Sequence, residues 1–340
     1  MGRNAVSFNV NSLRLALTRS DQNLIRNCIL EIQQLATINE SNKTRIAGAG
    51  GIKLICAAMD DHVGNVQIQQ FGCGVLMNLA QNHEGHQQKI VSAGGINTIV
   101  TAMNSQVSNP ELQQFGCGAL MHLARKHEGN QLAIVTAGGI ATVVTAVNLQ
   151  TTNKKIQQYG CGVLLYLACN EDSIVSIIIH GGIGLVLSAM ENEHNSEIAT
   201  HICANLMQLT SDRNYRDLIV LNGGVGFILS VMVNYAAHTN VLLYCCGALM
   251  NMTLNRDQKE LIIFDGIMDH ILTTMTRNRT NVYIQQYGCG ALMHLAVNAN
   301  QKALIVDGGG IDCIISGIAA QKSNPVAQQY CRLALERLLS

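Results

Sequence analysis

Tryptophan is absent from the 340 residues, proline occurs twice, and 13% of residues are charged. The chain exceeds the usual size of one globular core, yet no Ser/Pro-rich, charged or low-complexity stretch offers itself as a linker. An even texture over this length suggests an array of repeats. Lys plus Arg (22) balances Asp plus Glu (22), so the chain has little long-range pull on nucleic-acid phosphates or anionic lipid. No apolar run reaches the ~18 residues of a membrane span, and no direct membrane insertion is expected.

Signatures of chemistry are equally scarce. No G-x-S-x-G, phosphate-binding glycine loop or C-x-x-C pair occurs. His83-Glu84-Gly85-His86 is one residue too short for a zinc-protease motif and is placed in the loop after a helix. The expectation is no catalytic residue, no metal site, no cofactor and no enzymatic activity. Met1-Gly2 lacks the Ser or Thr at position 6 that myristoylation prefers, since Val6 stands there. Residues 1–20 carry Arg3, Arg14 and Arg19 and share a feature with transit peptides, but they read more simply as an opening helix.

What is there is periodic. From Ile68 the chain reads I-Q-Q-F-G-C-G-V-L-M-N-L-A, with near copies from Leu112, Ile156 and Ile284 and weaker ones from Ile198 and Val241. The fourth residue of each copy falls at Asn27, Phe71, Phe115, Tyr159, His201, Tyr244, Tyr287 and Tyr330, 42 to 44 residues apart. A glycine corner runs in step, at Gly50-Gly51, Gly94-Gly95, Gly138-Gly139, Gly181-Gly182, Gly223-Gly224, Gly266 and Gly309-Gly310. One unit is therefore a short helix, a corner, a second helix, a polar loop and a longer third helix. Asn109-Pro110 and Asn324-Pro325 supply cap and first-turn residues for third helices. Ile156, Gly160, Val163, Leu164 and Leu167 share one helical face and should be buried.

Six of the twelve cysteines, Cys73, Cys117, Cys161, Cys203, Cys246 and Cys289, recur mid-helix once per repeat. They are expected as small buried thiols, because equivalent helices ~8–10 Å apart are too distant for disulfides. That usage implies a reducing, cytoplasmic setting, with a mitochondrial or ciliary location as alternative. Nine glycines inside third helices should each cost ~1 kcal/mol relative to alanine. The earlier of each pair, as at Gly72 and Gly116, is expected to allow close helix approach.

The unit resembles the armadillo repeat, whose third helix commonly reads V-Q-E-x-A-x-W-A-L-x-N-L-A. Gln69, Gly72, Val75, Leu76, Asn78, Leu79 and Ala80 stand at matching positions. The resemblance spans roughly residues 8–340 and implies an all-α, right-handed solenoid of about eight three-helix repeats. It implies a single domain over 1–340, with a degenerate N-terminal cap at 1–37, regular repeats at about 38–300 and a C-terminal capping repeat at about 301–340. Arg332, Glu336 and Arg337 in the last copy, and Ile29 at the cysteine position of the first, fit end repeats that lack one neighbour.

In such arrays the third helices line a concave groove, and motif positions 4, 7 and 11 share one side. The candidate groove residues are Phe71, Asn78, Phe115, His122, Tyr159 and Tyr166, continuing as His201, Gln208, Tyr244, Asn251, Tyr287 and His294. The residue between each pair is glycine, or Ala204 in one copy, and none of the eighteen is charged. The later glycine of each pair takes the place of the family's tryptophan. Without Trp-Asn ladders flanked by acids, or a basic groove, a weakly charged extended protein segment is the expected ligand. The alternative use is a structural subunit of a large eukaryotic assembly, axonemal or organellar, contacting partners through edges and convex face. Packing of each ring over the glycine three residues on would make the ladder core instead.

Overall fold

The computed structural model describes residues 2–193, 195–254, 266–321 and 324–340. Twenty-two helices and no strand occur among the described residues. The chain divides into two compact units, residues 1–167 and 168–340. In the first unit the long helices bearing the motif are α2 (Gln22–Ile38), α5 (Val66–Ala80), α8 (Pro110–Ala124) and α11 (Lys154–Leu167). Short helices α3 (Glu40–Gly48), α6 (Glu84–Ser92) and α9 (Glu128–Thr136) precede second helices α4 (Gly51–Asp61), α7 (Gly95–Ser105) and α10 (Gly139–Leu149). Helix α1 (Gly2–Thr18) precedes α2 and buries Val6, Val10, Leu13 and Ala16, as the opening-helix reading of residues 1–20 expects. Met1 lies outside the described residues.

The second unit repeats the scheme. Its long helices are α14 (Ser196–Leu209), α17 (Thr239–Met252), α19 (Val282–Leu295) and α22 (Pro325–Leu339). Its short helices are α12 (Glu171–Ile179), α15 (Arg213–Leu221) and α20 (Ala299–Asp307), and its second helices α13 (Ile183–Glu193), α16 (Gly224–Asn234), α18 (Ile267–Arg277) and α21 (Gly310–Ala320). The short helix that the period places before α18 falls on residues 255–265, outside the described residues.

The corner chemistry explains why glycine comes in pairs. The first of each pair takes the left-handed conformation, as at Gly94 with φ 77°. The second starts the next helix under the preceding chain. A Cβ at Gly95 would lie 2.6 Å from Ile90 Cγ2 and 2.9 Å from the Ile90 carbonyl oxygen. Six of the eight long helices start where an asparagine side chain accepts a backbone N–H bond, as Asn109 does from Leu112 at 3.0 Å, while Asp21 caps α2 and α17 has no such bond. The same bond recurs at Asn65, Asn153, Asn195, Asn281 and Asn324.

The first glutamine of each Gln-Gln pair has a structural task that the motif alone did not disclose. Gln113 is buried, and its Nε2 donates to the Met103 carbonyl at 2.8 Å and the Gln106 carbonyl at 3.0 Å, closing the C-terminus of α7. Gln69, Gln157 and Gln285 do the same for α4, α10 and α18.

Glycines at the motif's fifth position allow the close approach expected of them. A Cβ at Gly116 would lie 2.5 Å from Met103 Cγ on α7, and one at Gly72 2.6 Å from Met59 Cγ on α4. The face of Ile156, Gly160, Val163, Leu164 and Leu167 is buried. The six recurrent cysteines are buried, and no disulfide occurs among the described residues. An expectation framed on equivalent positions misses a neighbour. Cys245, at position 5 of α17, donates to Cys203, at position 6 of α14, with sulfurs 3.6 Å apart.

Candidate functional site

In the first unit α5, α8 and α11 present their motif side chains on one face. Phe71, Phe115, Tyr159, Asn78, His122 and Tyr166 are each half-buried there. In the second unit Tyr244, Asn251, Tyr287 and His294 are half-buried, whereas His201 and Gln208 are exposed.

Between the rings lies a packing pattern that crosses repeats. A Cβ at Gly118 would lie 2.5 Å from Met77 Sδ of the preceding long helix and 3.2 Å from Tyr159 Cδ2 of the following one. Gly290 meets Met250 Sδ at 2.5 Å and Tyr330 Cδ1 at 3.3 Å in the same way, and Gly247 meets Met207 Cγ at 2.8 Å and Tyr287 Cδ2 at 3.4 Å. At these three positions glycine is therefore buried beneath the position-10 methionine of the repeat before and the position-4 ring of the repeat after, whereas Gly162 meets Met121 alone and Gly74 meets Gln33. The ring covers the glycine of the neighbouring repeat rather than that of its own helix, which corrects the alternative in which each ring packs over the glycine three residues on. It also corrects position 7 as a groove-facing position. The glycines are roofed, and half-buried Met77 and Met121 share the surface instead. The methionine that precedes five of the six position-11 residues, Tyr166 excepted, was the sequence signal for this.

The aromatic rings do two things at once. The inner face of Tyr159 seals the α8–α11 seam, and its outer part stays accessible, with Lys155 Nζ 5.6 Å from its centroid and the His122 ring 6.5 Å away. Tyr287 behaves alike in the second unit. Burial, followed by Tyr283, Tyr244 and Tyr330, pushes its phenol pKa up.

The amides are not equivalent. Asn251 Nδ2 is spent on the Met207 carbonyl at 2.9 Å and Thr210 Oγ1 at 3.3 Å, so it locks two repeats together and is a poor candidate to bind a ligand backbone. Gln208 Nε2 donates to Glu171 at 2.7 Å. His294 Nδ1 is 3.3 Å from Thr253 Oγ1.

The eighteen positions are uncharged, but their rims are not. Gln70 bonds Glu111, Lys155 stands beside Tyr159, and Arg125 and Lys126 follow His122 at the end of α8. His83 and Glu84 belong to the start of α6 rather than to a loop. His83 is the cap residue, and its Nδ1 accepts from the His86 N–H at 3.3 Å. The two imidazoles stack at 3.4 Å, and buried His86 bonds the Leu79 carbonyl. Burial first, then His83, lowers the His86 pKa. No group of three metal-ligating side chains occurs among the described residues.

A family model described as the LRRK2 ARM repeat matches residues 93–261. A structure reported under "A conserved phosphorylation switch controls the interaction between cadherin and beta-catenin in vitro and in vivo" aligns with a TM-score of 0.64 and 15% identity, over 97% of this chain and 60% of that one. An engineered protein from the Northeast Structural Genomics Consortium aligns with a TM-score of 0.48 and 19% identity, over 97% of this chain and 88% of that one. No curated protein sequence shows significant similarity to the chain.

Proposed function

We propose that the chain, which has the armadillo-type repeat fold, is a scaffold or adaptor binding an extended, weakly charged protein segment along its third helices. Armadillo repeats commonly mediate protein–protein interaction. The observation that carries the proposal is the face of α5, α8 and α11. Three rings, Phe71, Phe115 and Tyr159, alternate there with Asn78, His122 and Tyr166, all half-buried and none charged. Rings fixed by a seam lose little further freedom on binding, and accessible ring area supplies contact energy. Asn78 has no side-chain partner among the described residues and is the amide best placed to bond a peptide backbone.

A photo-crosslinking residue at Tyr166 tests this, with one at exposed Thr101 on α7 as control. Crosslinks to a discrete segment of another protein from Tyr166 alone support the reading. Equal or stronger crosslinking from Thr101 counts against it.

A second reading, a structural subunit contacting partners through its edges, has its own support. Leu132, Ile179, Leu221 and Leu304 are exposed on the short helices α9, α12, α15 and α20. Crosslinks from Leu132 and Leu221 to several different proteins would favour it.

A further inference from the structure

Where α5 and α8 end and α6 and α9 begin, the first unit holds a cavity of about 320 Å³ beside His122. Two cations line it, Arg125 and Lys126, both exposed, and neither has an ion-pair partner among the described residues. The opposing charges are few. Glu84 lines the cavity, Glu128 is exposed in the first turn of α9, and Glu40 is held by Lys43 at 2.6 Å.

Two further observations separate this cluster from scattered surface charge. Lys126 adopts φ 65°, a left-handed conformation that costs a residue with a side chain roughly 1–2 kcal/mol. The same turn one repeat earlier uses Asn82 at φ 55°, a residue that tolerates it. The lysine is kept at a strained place that holds its side chain at the cavity. Second, the nine-residue helix α9 opens on His127, which makes no side-chain cap bond, whereas its counterpart His83 caps α6. His127 lines the cavity with its ring uncommitted to the helix end. Burial, then Arg125 and Lys43, lowers the pKa of His122, as a site of positive potential should.

We propose that this cavity seats an oxyanion carried by the bound protein segment, a phosphomonoester or a carboxylate side chain, held by Arg125 and Lys126 with His127 at its wall. The inference rests on the segment-binding reading above and adds one anionic anchor to a ligand otherwise weakly charged.

The test uses the full chain and free anions, so it does not depend on knowing the segment. Inorganic phosphate, N-acetyl phosphoserine amide and acetate are titrated to about 50 mM at constant ionic strength, which keeps screening fixed. The imidazole resonances of His122 and His127 report binding. Saturable shifts are expected, with His122 keeping its proton to higher pH in the bound state. Lys126→Asn copies the neighbouring turn and relieves strain, so its melting temperature should equal or exceed that of the parent. It should weaken anion binding by about tenfold through loss of a charge-assisted bond. Glu84→Gln should tighten binding by about threefold. Phosphate and phosphoserine binding without acetate binding assigns the phosphomonoester, and comparable acetate binding assigns the carboxylate. No saturable shift with any anion, or equal affinity in Lys126→Asn, overturns the proposal. Either failure leaves crosslinking at Tyr166 intact, and failure there would leave this titration unaffected.

Discussion

Gly72 and Gly74 lie two residues apart in α5, and one added methyl group should move stability in opposite directions at the two sites. Replacing a helix-interior glycine by alanine gains about 1 kcal/mol from backbone entropy. At Gly74 the new Cβ would meet the terminal amide of Gln33, a half-buried side chain of α2 whose end can swing aside. Most of the propensity gain should survive, giving Gly74→Ala a stabilisation of ~0.5–1 kcal/mol. At Gly72 the new Cβ would lie 2.6 Å from Met59 Cγ and also against Met59 Sδ. Met59 is fully buried in α4 and has nowhere to go. Overpacking of this kind costs ~1–3 kcal/mol, so Gly72→Ala should end with a net loss of up to ~2 kcal/mol. For a unit of this size the two variants should differ by ~3 °C or more in melting temperature, followed by far-UV circular dichroism. The order of the urea midpoints should agree, with the denaturant slope unchanged. If Gly72→Ala proves as stable as Gly74→Ala, the distinction between a core glycine and a seam glycine is wrong.

Acidification provides another check. Burial keeps His86 from taking a proton in the folded chain, so the unfolded chain protonates first, near pH 6.5. Stability should fall as the pH drops below that value and level off once folded His86 also takes its proton. His86→Asn should keep the bond to Leu79, as Asn42 and Asn130 make to Leu35 and Leu123, and should flatten the fall in urea midpoint. His122, lowered in the same direction, leaves a residual slope of the same sign. The thiols should react in order of access. Half-buried Cys169 and Cys313 should be alkylated first, although burial raises the Cys169 thiol to about 11. Cys117 and Cys246, raised to about 12, should stay protected, and a denatured, non-reduced sample should alkylate at all twelve cysteines. Protected disulfides after denaturation would contradict this.

Much of the fold was legible because the signals are local. A left-handed glycine at a corner, an asparagine cap at Asn109 and a buried face through Ile156 and Leu164 each depend on a few consecutive residues, and the period multiplies them. The site was less legible because it depends on the register between repeats. The thirteen positions of one motif cannot show that Met77 and Tyr159, from helices on either side, close over Gly118. The same blindness to register hid the contact of Cys203 with Cys245 and the loss of Asn251 to an inter-repeat bond. Arg125 and Lys126 fell outside the motif window, so a face that reads as uncharged at eighteen positions acquires a cationic rim in three dimensions.

Replacing both Tyr159 and Tyr166 by alanine tests the central claim most directly, because the two half-buried rings are on one helix of the face. The readouts are helical content and the amount of crosslinked partner segment retained by the full chain. Both rings are partly accessible, so the variant should remain helical while binding weakens by ~2 kcal/mol or more, about thirtyfold. Unfolding of the variant would show that the rings are core, and normal binding by a folded variant would place the interaction away from this face.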